Sequence, residues 1–182
     1  MSFKKEMIQY YDYIPECNFY LLVDPAGKRK KKSDYTAMTV VGVSHDGRLY
    51  IAEMLRDKLD PKGRIDAAMG LADRWKIKEC GWEEVGLADD TFYLEEKRRE
   101  KGLHFIITAI KSMKIAKEDR IRNILMPQYA ELLWYWPPKG RMVKYSTFDG
   151  KNFDLTDVLE KEFLEFPSSE HDDLLDTLTF LS

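Results

Sequence analysis

A carboxylate at the end of an apolar run is a costly place for charge unless something binds it. Asp24 stands at such a place, closing Phe19-Tyr20-Leu21-Leu22-Val23. Far along the chain, Glu83 follows Cys80-Gly81-Trp82, and the closing stretch His171-Asp172-Asp173-Leu174-Leu175-Asp176 supplies an acidic cluster at an expected helix start. Asp173 and Asp176 are three apart and share a helical face, whereas Asp172 projects differently. Sets of carboxylates suit hard divalent ions such as Mg²⁺ or Mn²⁺, which take oxygen ligands. Two such ions about 4 Å apart stabilise both the attacking and the leaving oxygen in phosphodiester cleavage. The plainer reading of acids near a helix start is charge that complements the helix dipole.

Elements able to carry these acids follow from the pattern. Residues 19–24 read as a buried strand, 35–43 as a β-branched second strand, and 48–54 as its return after the Asp46-Gly47 hairpin signal. Asp60 as N-cap and Pro61 at the first helical position open a helix carrying Ile65, Ala68, Met69, Ala72 and Trp75 at helical spacing. A short strand over 78–83 follows, then a helix over 87–101 ended by Gly102, and a strand over 105–110. Residues 116–125 are expected to be helical. Residues 132–136 are expected to be extended and paired with 142–146. Helices are expected over 154–165 and 170–181. This order predicts an α/β fold with a mixed central sheet covered by helices on both faces. The first and fourth strands can then lie side by side, with Asp24 and Glu83 at one edge.

The 182 residues fit one domain, 1–182, with 1–17 as a lead-in. A 44% hydrophobic and 34% charged composition reads as a soluble globular chain. Cys17 and Cys80 give neither a disulfide framework nor metal-ligand spacing, which fits a reducing compartment. No apolar run reaches the roughly 20 residues of a membrane span, and the N-terminus lacks a signal-peptide core. The net charge of −3 argues weakly against a nucleic-acid partner. Positive charge is clumped, however, at Lys28-Arg29-Lys30-Lys31-Lys32, at Lys97-Arg98-Arg99 with Lys101, and at Lys111, Lys114 and Lys117. A local patch, not the sum, neutralises phosphates.

Four pieces in order resemble the C-terminal nuclease domain of the large terminase subunit of tailed bacteriophages. They are Asp24-Pro25-Ala26 with Ser33-Asp34-Tyr35-Thr36-Ala37, Gly81-Trp82-Glu83-Glu84, Lys117-Glu118-Asp119-Arg120-Ile121, and Phe166-Pro167 leading into His171–Asp176. The resemblance spans residue 18 to the end. It implies an RNase H-like fold and a metal-dependent endonuclease that cuts concatemeric viral DNA with little sequence preference. It also implies two divalent ions, Mg²⁺ or Mn²⁺, on Asp24, Glu83 and a member of the Asp172/Asp173/Asp176 cluster. Double-stranded DNA, the terminase ATPase domain, the small terminase subunit and the portal protein are the implied partners, in the cytoplasm of the infected bacterial host. No membrane is involved. Family members carry an ATPase motor with a Walker A loop; no such pattern occurs in these residues, so ATP hydrolysis is not expected of them.

Each residue has a competing reading. Glu83 competes with Glu84, Glu79 and Asp89; strand alternation sends Glu83 and Glu84 to opposite faces, and the family position favours Glu83. Asp89-Asp90 is more simply helix N-terminal charge. His171 is either an orienting group for phosphate or water, or a solvated side chain. Lys28, Arg29, Lys30, Lys31 and Lys32 form either a solvated loop or a DNA guide. Lys117 resembles a family lysine that offsets charge on the scissile phosphate; otherwise it is a surface lysine. Trp134, Tyr135 and Trp136 read as packing residues. The rival functions are another RNase H-like nuclease (a resolvase or RNase H), a noncatalytic DNA- or portal-binding packaging module, or a structural ion site in an unrelated α/β protein.

Overall fold

The computed structural model describes residues 2–26, 35–84, 90–111 and 115–181. Its centre is a six-stranded mixed sheet built from β1 (Cys17–Asp24), β2 (Thr36–Ser44), β3 (Leu49–Asp57), β4 (Glu79–Glu83), β5 (Ile106–Ile110) and β6 (Trp134–Tyr135), in the order β5-β4-β1-β2-β3-β6. β1 to β3 form an antiparallel meander, and β4 and β5 add in parallel beyond β1. The β2–β3 turn closes at Gly47, whose φ of +80° suits a residue without Cβ.

Side-chain alternation assigns the two faces. Leu21, Val23, Cys80 and Trp82 point to one core, shared with Ile65, Ala68, Met69 and Ala72 of α1 (Pro61–Trp75) and Leu94 of α2 (Asp90–Glu100). Leu22, Ala37 and Val41 point to the other. That second core is closed by a helical run and two further helices. The run is α3 (Lys117–Arg120), a π-helical stretch (Ile121–Leu125) and α4 (Met126–Ala130). The helices are α5 (Leu155–Glu165) and α6 (Asp173–Thr177), with a 3-10 turn over Leu178–Phe180. Phe163 of α5 is fully buried among Phe3, Tyr129 and Trp136. Phe3 belongs to the lead-in, so those first residues are packed into this core rather than trailing from it.

Capping agrees with the sequence reading. Asp60 accepts from Gly63 N at 2.6 Å ahead of Pro61, and Gly102 turns the chain after α2 with φ +65°. Three expectations need correction. Residues 132–136 do not pair with 142–146: β6 runs parallel to β3, and the backbone of Trp136 bonds Gln9 O at 2.8 Å and Tyr11 N at 3.0 Å. With those groups taken, β7 (Val143–Ser146) forms its own hairpin with β8 (Lys151–Asp154). The helix expected over 116–125 runs to Ala130 and widens to a π-helix in the turn before Pro127, which has no N–H to return to Asn123. The last helix begins at Asp173, not at 170. It tightens after Thr177, where Thr177 and Thr179 hydroxyls bond the carbonyls of Leu174 (2.6 Å) and Asp176 (2.7 Å).

Candidate metal centre

β1 and β4 are parallel neighbours with Val23 opposite Trp82, so Asp24 and Glu83 leave the sheet at the same end. Both lie on the face that carries Leu22 and Gly81, toward α6, and both are buried, Asp24 at 0% and Glu83 at 2% exposure. Asp24 Oδ1 accepts from Ala26 N at 3.1 Å, and its cross-strand neighbour Ala37 is small enough to leave room beside it.

α6 brings the remaining acids. It is pinned to β2 by a 2.8 Å hydrogen bond between the Thr39 and Thr177 hydroxyls. From behind, Oε1 of buried Glu162 accepts from Leu175 N at 2.9 Å in the first turn of α6, where helix N–H groups lack intrahelical partners. Asp173 and Asp176 are thereby buried against the sheet, while Asp172 sits at the N-cap and is part-exposed.

Two cations enter this acid cluster from α3. Lys117 Nζ lies 2.7 Å from Asp172 Oδ1 and donates to Asp173 Oδ1 at 3.1 Å. Arg120 Nη2 donates to both Asp176 oxygens, at 2.8 and 3.0 Å, and lies 3.6 Å from Glu83 Oε2. Spaced three apart, the two cations share one helical face.

The electrostatics follow from crowding acids in a dry place. Burial raises the Asp173 carboxyl above its ordinary range; Lys117 opposes this and Asp24 adds to it. Burial likewise pushes Asp176 up to about 7, with Lys117 and Arg120 pulling down and Asp24 and Glu83 pushing up. Burial works against the Lys117 ammonium, but Asp173, Asp176, Asp172 and Asp24 overrule it and hold the proton well above the usual lysine range. Asp24 acts on all three groups, which places the first-strand acid in the same cluster as α6.

The structure therefore brings together Asp24, Glu83, Asp172, Asp173, Asp176 and Lys117. Of the competitors of Glu83, Glu79 goes elsewhere. Glu79 begins β4, at its other end, and accepts from the Thr108 hydroxyl. Asp90 opens α2 and makes a bidentate pair with Arg64 at 2.8 and 3.0 Å, tying α2 to α1. Asp89 and the run Lys28, Arg29, Lys30, Lys31 and Lys32 lie outside the described residues. His171 sets its ring edge-on to Tyr35, with centroids 5.3 Å apart. Trp134 and Trp136 are buried in the core, and the Tyr135 ring stacks on Tyr50. Sequence reasoning missed Arg120 and Glu162. The Lys117/Arg120 spacing was the available signal for the first; nothing local marks Glu162, whose partner is thirteen residues away.

The donor set fits divalent metal. All five acids offer hard oxygen ligands, five carboxylates face two cations among the described residues, and Asp173 Oδ2 is buried with no hydrogen-bond partner. Among the described residues no three acids already converge as ligands of one ion. Lys117 and Arg120 stand among them instead.

Known structures share this architecture. Over 90% of this chain and 88% of its own length, gp2c of the large terminase subunit from bacteriophage sf6, in a structure with calcium, superposes at a TM-score of 0.55 and 14% identity. The yeast mitochondrial Holliday junction resolvase Ydc2 superposes at 0.50 and 9% identity, covering 93% of this chain and 79% of its own. The fold is RNase H-like. No protein-family model and no curated protein sequence matches the chain.

Proposed function

We propose that this chain is a metal-dependent endonuclease that hydrolyses the DNA backbone, the nuclease of a phage DNA-packaging terminase. The observation that carries the reading is the burial of Asp24, Glu83, Asp173 and Asp176 at one sheet end, with more negative charge than Lys117 and Arg120 can balance. The shared fold is common to terminase nucleases and resolvases, and the ordered motifs ending in His171–Asp176 are what support the terminase reading.

Asp24, Glu83 and Asp173 would hold the ions, with Asp172 and Asp176 completing the set. Divalent ions held there would supply Lewis-acid stabilisation to the attacking and leaving oxygens of the cleaved phosphodiester. Burial of the acids keeps bulk water from screening them. Lys117, already poised between Asp172 and Asp173, would turn its ammonium to the scissile phosphate and offset charge developing there. Lys28, Arg29, Lys30, Lys31 and Lys32 follow Asp24 closely in sequence, and in this reading they grip phosphates without reading bases.

Asp24→Asn keeps the shape and removes one charge. It should reduce Mg²⁺- or Mn²⁺-dependent plasmid nicking to the EDTA background while circular dichroism stays unchanged; unchanged nicking would remove Asp24 from the site. A resolvase is the second reading, favoured by the likeness to Ydc2. Supercoiled plasmid, a four-way junction and an RNA–DNA hybrid offered side by side separate the two, since a terminase nuclease cuts the plasmid without preference for the junction.

A further inference from the structure

Arg120 has no part in the reaction as proposed, yet it is one of the most firmly placed side chains of the site. It is 11% exposed, and the neighbouring Ile121 and Leu125 of the π-helical stretch are fully buried, which fixes the turn that carries it. Its guanidinium takes both oxygens of Asp176 and reaches toward Glu83. A guanidinium and a divalent ion on the same carboxylate oxygens are alternatives, because two cations a few ångströms apart repel strongly away from bulk water. The other side of the cluster differs: Asp173 keeps a buried oxygen, Oδ2, with no hydrogen-bond partner.

We propose that Arg120 is an internal counter-ion that competes with divalent metal for Asp176 and Glu83. The side of Asp173, where Oδ2 is buried without a hydrogen-bond partner, then loads first, and loading at Asp176 and Glu83 requires Arg120 to leave. This rests on the reading of the cluster as a metal centre. A DNA phosphate offers Arg120 an alternative bidentate partner. Substrate entry and completion of the metal set are thereby coupled, which restrains cutting until DNA is seated. Arg120 acts as a positioning residue, holding two buried acids together until metal replaces it.

Calorimetric titration of Mn²⁺ into the metal-stripped full chain without DNA, wild type against Arg120→Gln, tests this. The variant should bind Mn²⁺ about tenfold or more tightly, or take up an additional equivalent. Its melting temperature in EDTA should fall below wild type, and Mn²⁺ should recover the loss. Binding equal to or weaker than wild type, at wild-type stoichiometry, overturns the proposal. Because losing a buried cation can unfold the stripped variant, the wild type gives a second readout. The NMR signal of the Arg120 Nε–H group should move when Mg²⁺ reaches saturation, and an unmoved signal also overturns the proposal. A wild type that binds no Mn²⁺ would remove the metal-centre reading and this proposal together. A wild type that binds as many equivalents of Mn²⁺ as Arg120→Gln does, and as tightly, would remove this proposal alone.

Discussion

The two faces of the sheet each bury an arginine against an aspartate, and they do so to opposite ends. Under α1 and α2, Arg64 and Asp90 form one bidentate pair, both about 10% exposed, beside apolar residues. Among the described residues, one cation meets one anion there. Under α3 and α6, Arg120 meets both oxygens of Asp176 through Nη2 alone, while Glu83, Asp24 and Asp173 crowd the same volume and Lys117 is the other cation among the described residues there. A buried ion pair by itself is weak evidence for anything. What separates a structural pair from a binding centre is whether the local charge closes.

The comparison can be broken by experiment, most severely at Asp24, where the Asn variant described above should lose all metal-dependent cleavage. Next in size, Arg64→Ala leaves Asp90 buried without its partner and should cost about 3–5 kcal/mol in urea unfolding. The stabilisation gained on adding Mn²⁺ should be unchanged in that variant, because the pair is remote in role from the acid cluster. A Mn²⁺ response lost along with stability would erase the distinction between the two faces.

Protons sharpen the contrast further. Asp176 is pushed up to about 7 in the folded protein, against an ordinary value of 3.8. Between these values the folded state holds a proton that the unfolded chain has lost, so this group's contribution falls as pH rises from about 4 to 7 and is lowest above 7. In EDTA, thermal stability should therefore decline over that window, with a flatter profile in Asp176→Asn. Since metal competes with the same proton, the rise in melting temperature on adding Mg²⁺ should be larger at pH 8 than at pH 6. The smallest effect expected is at Thr39→Val, which removes the hydroxyl pair holding α6 to β2. It should cost about 1 kcal/mol and leave metal binding nearly intact.

Much of this was legible in the chain. The apolar run ending in Asp24, the Asp-Gly hairpin and the Asp60-Pro61 helix start are local signals, and each element stands where the pattern put it. Parallel pairing of β1 with β4 follows from the crossover through α1, so the proximity of Asp24 and Glu83 was also within reach. What the sequence hid was set by distant partners. The destination of residues 132–136 depended on Gln9 and Tyr11, more than a hundred residues earlier. The shortness of α6 depended on the Thr177 and Thr179 hydroxyls, which donate to carbonyls three residues earlier. Arg120 carried no role of its own in the sequence, because Asp176 and Glu83 come beside it only in the fold.

A crystal soaked in Mn²⁺, with anomalous scattering recorded for the metal, tests the central claim most directly. Density should appear within ligating distance of Asp24 and Asp173, with Glu83 or Asp176 joining once Arg120 has turned away. Saturating Mn²⁺ that leaves those carboxylates bare, with Arg120 still seated on Asp176, would contradict the metal-centre account.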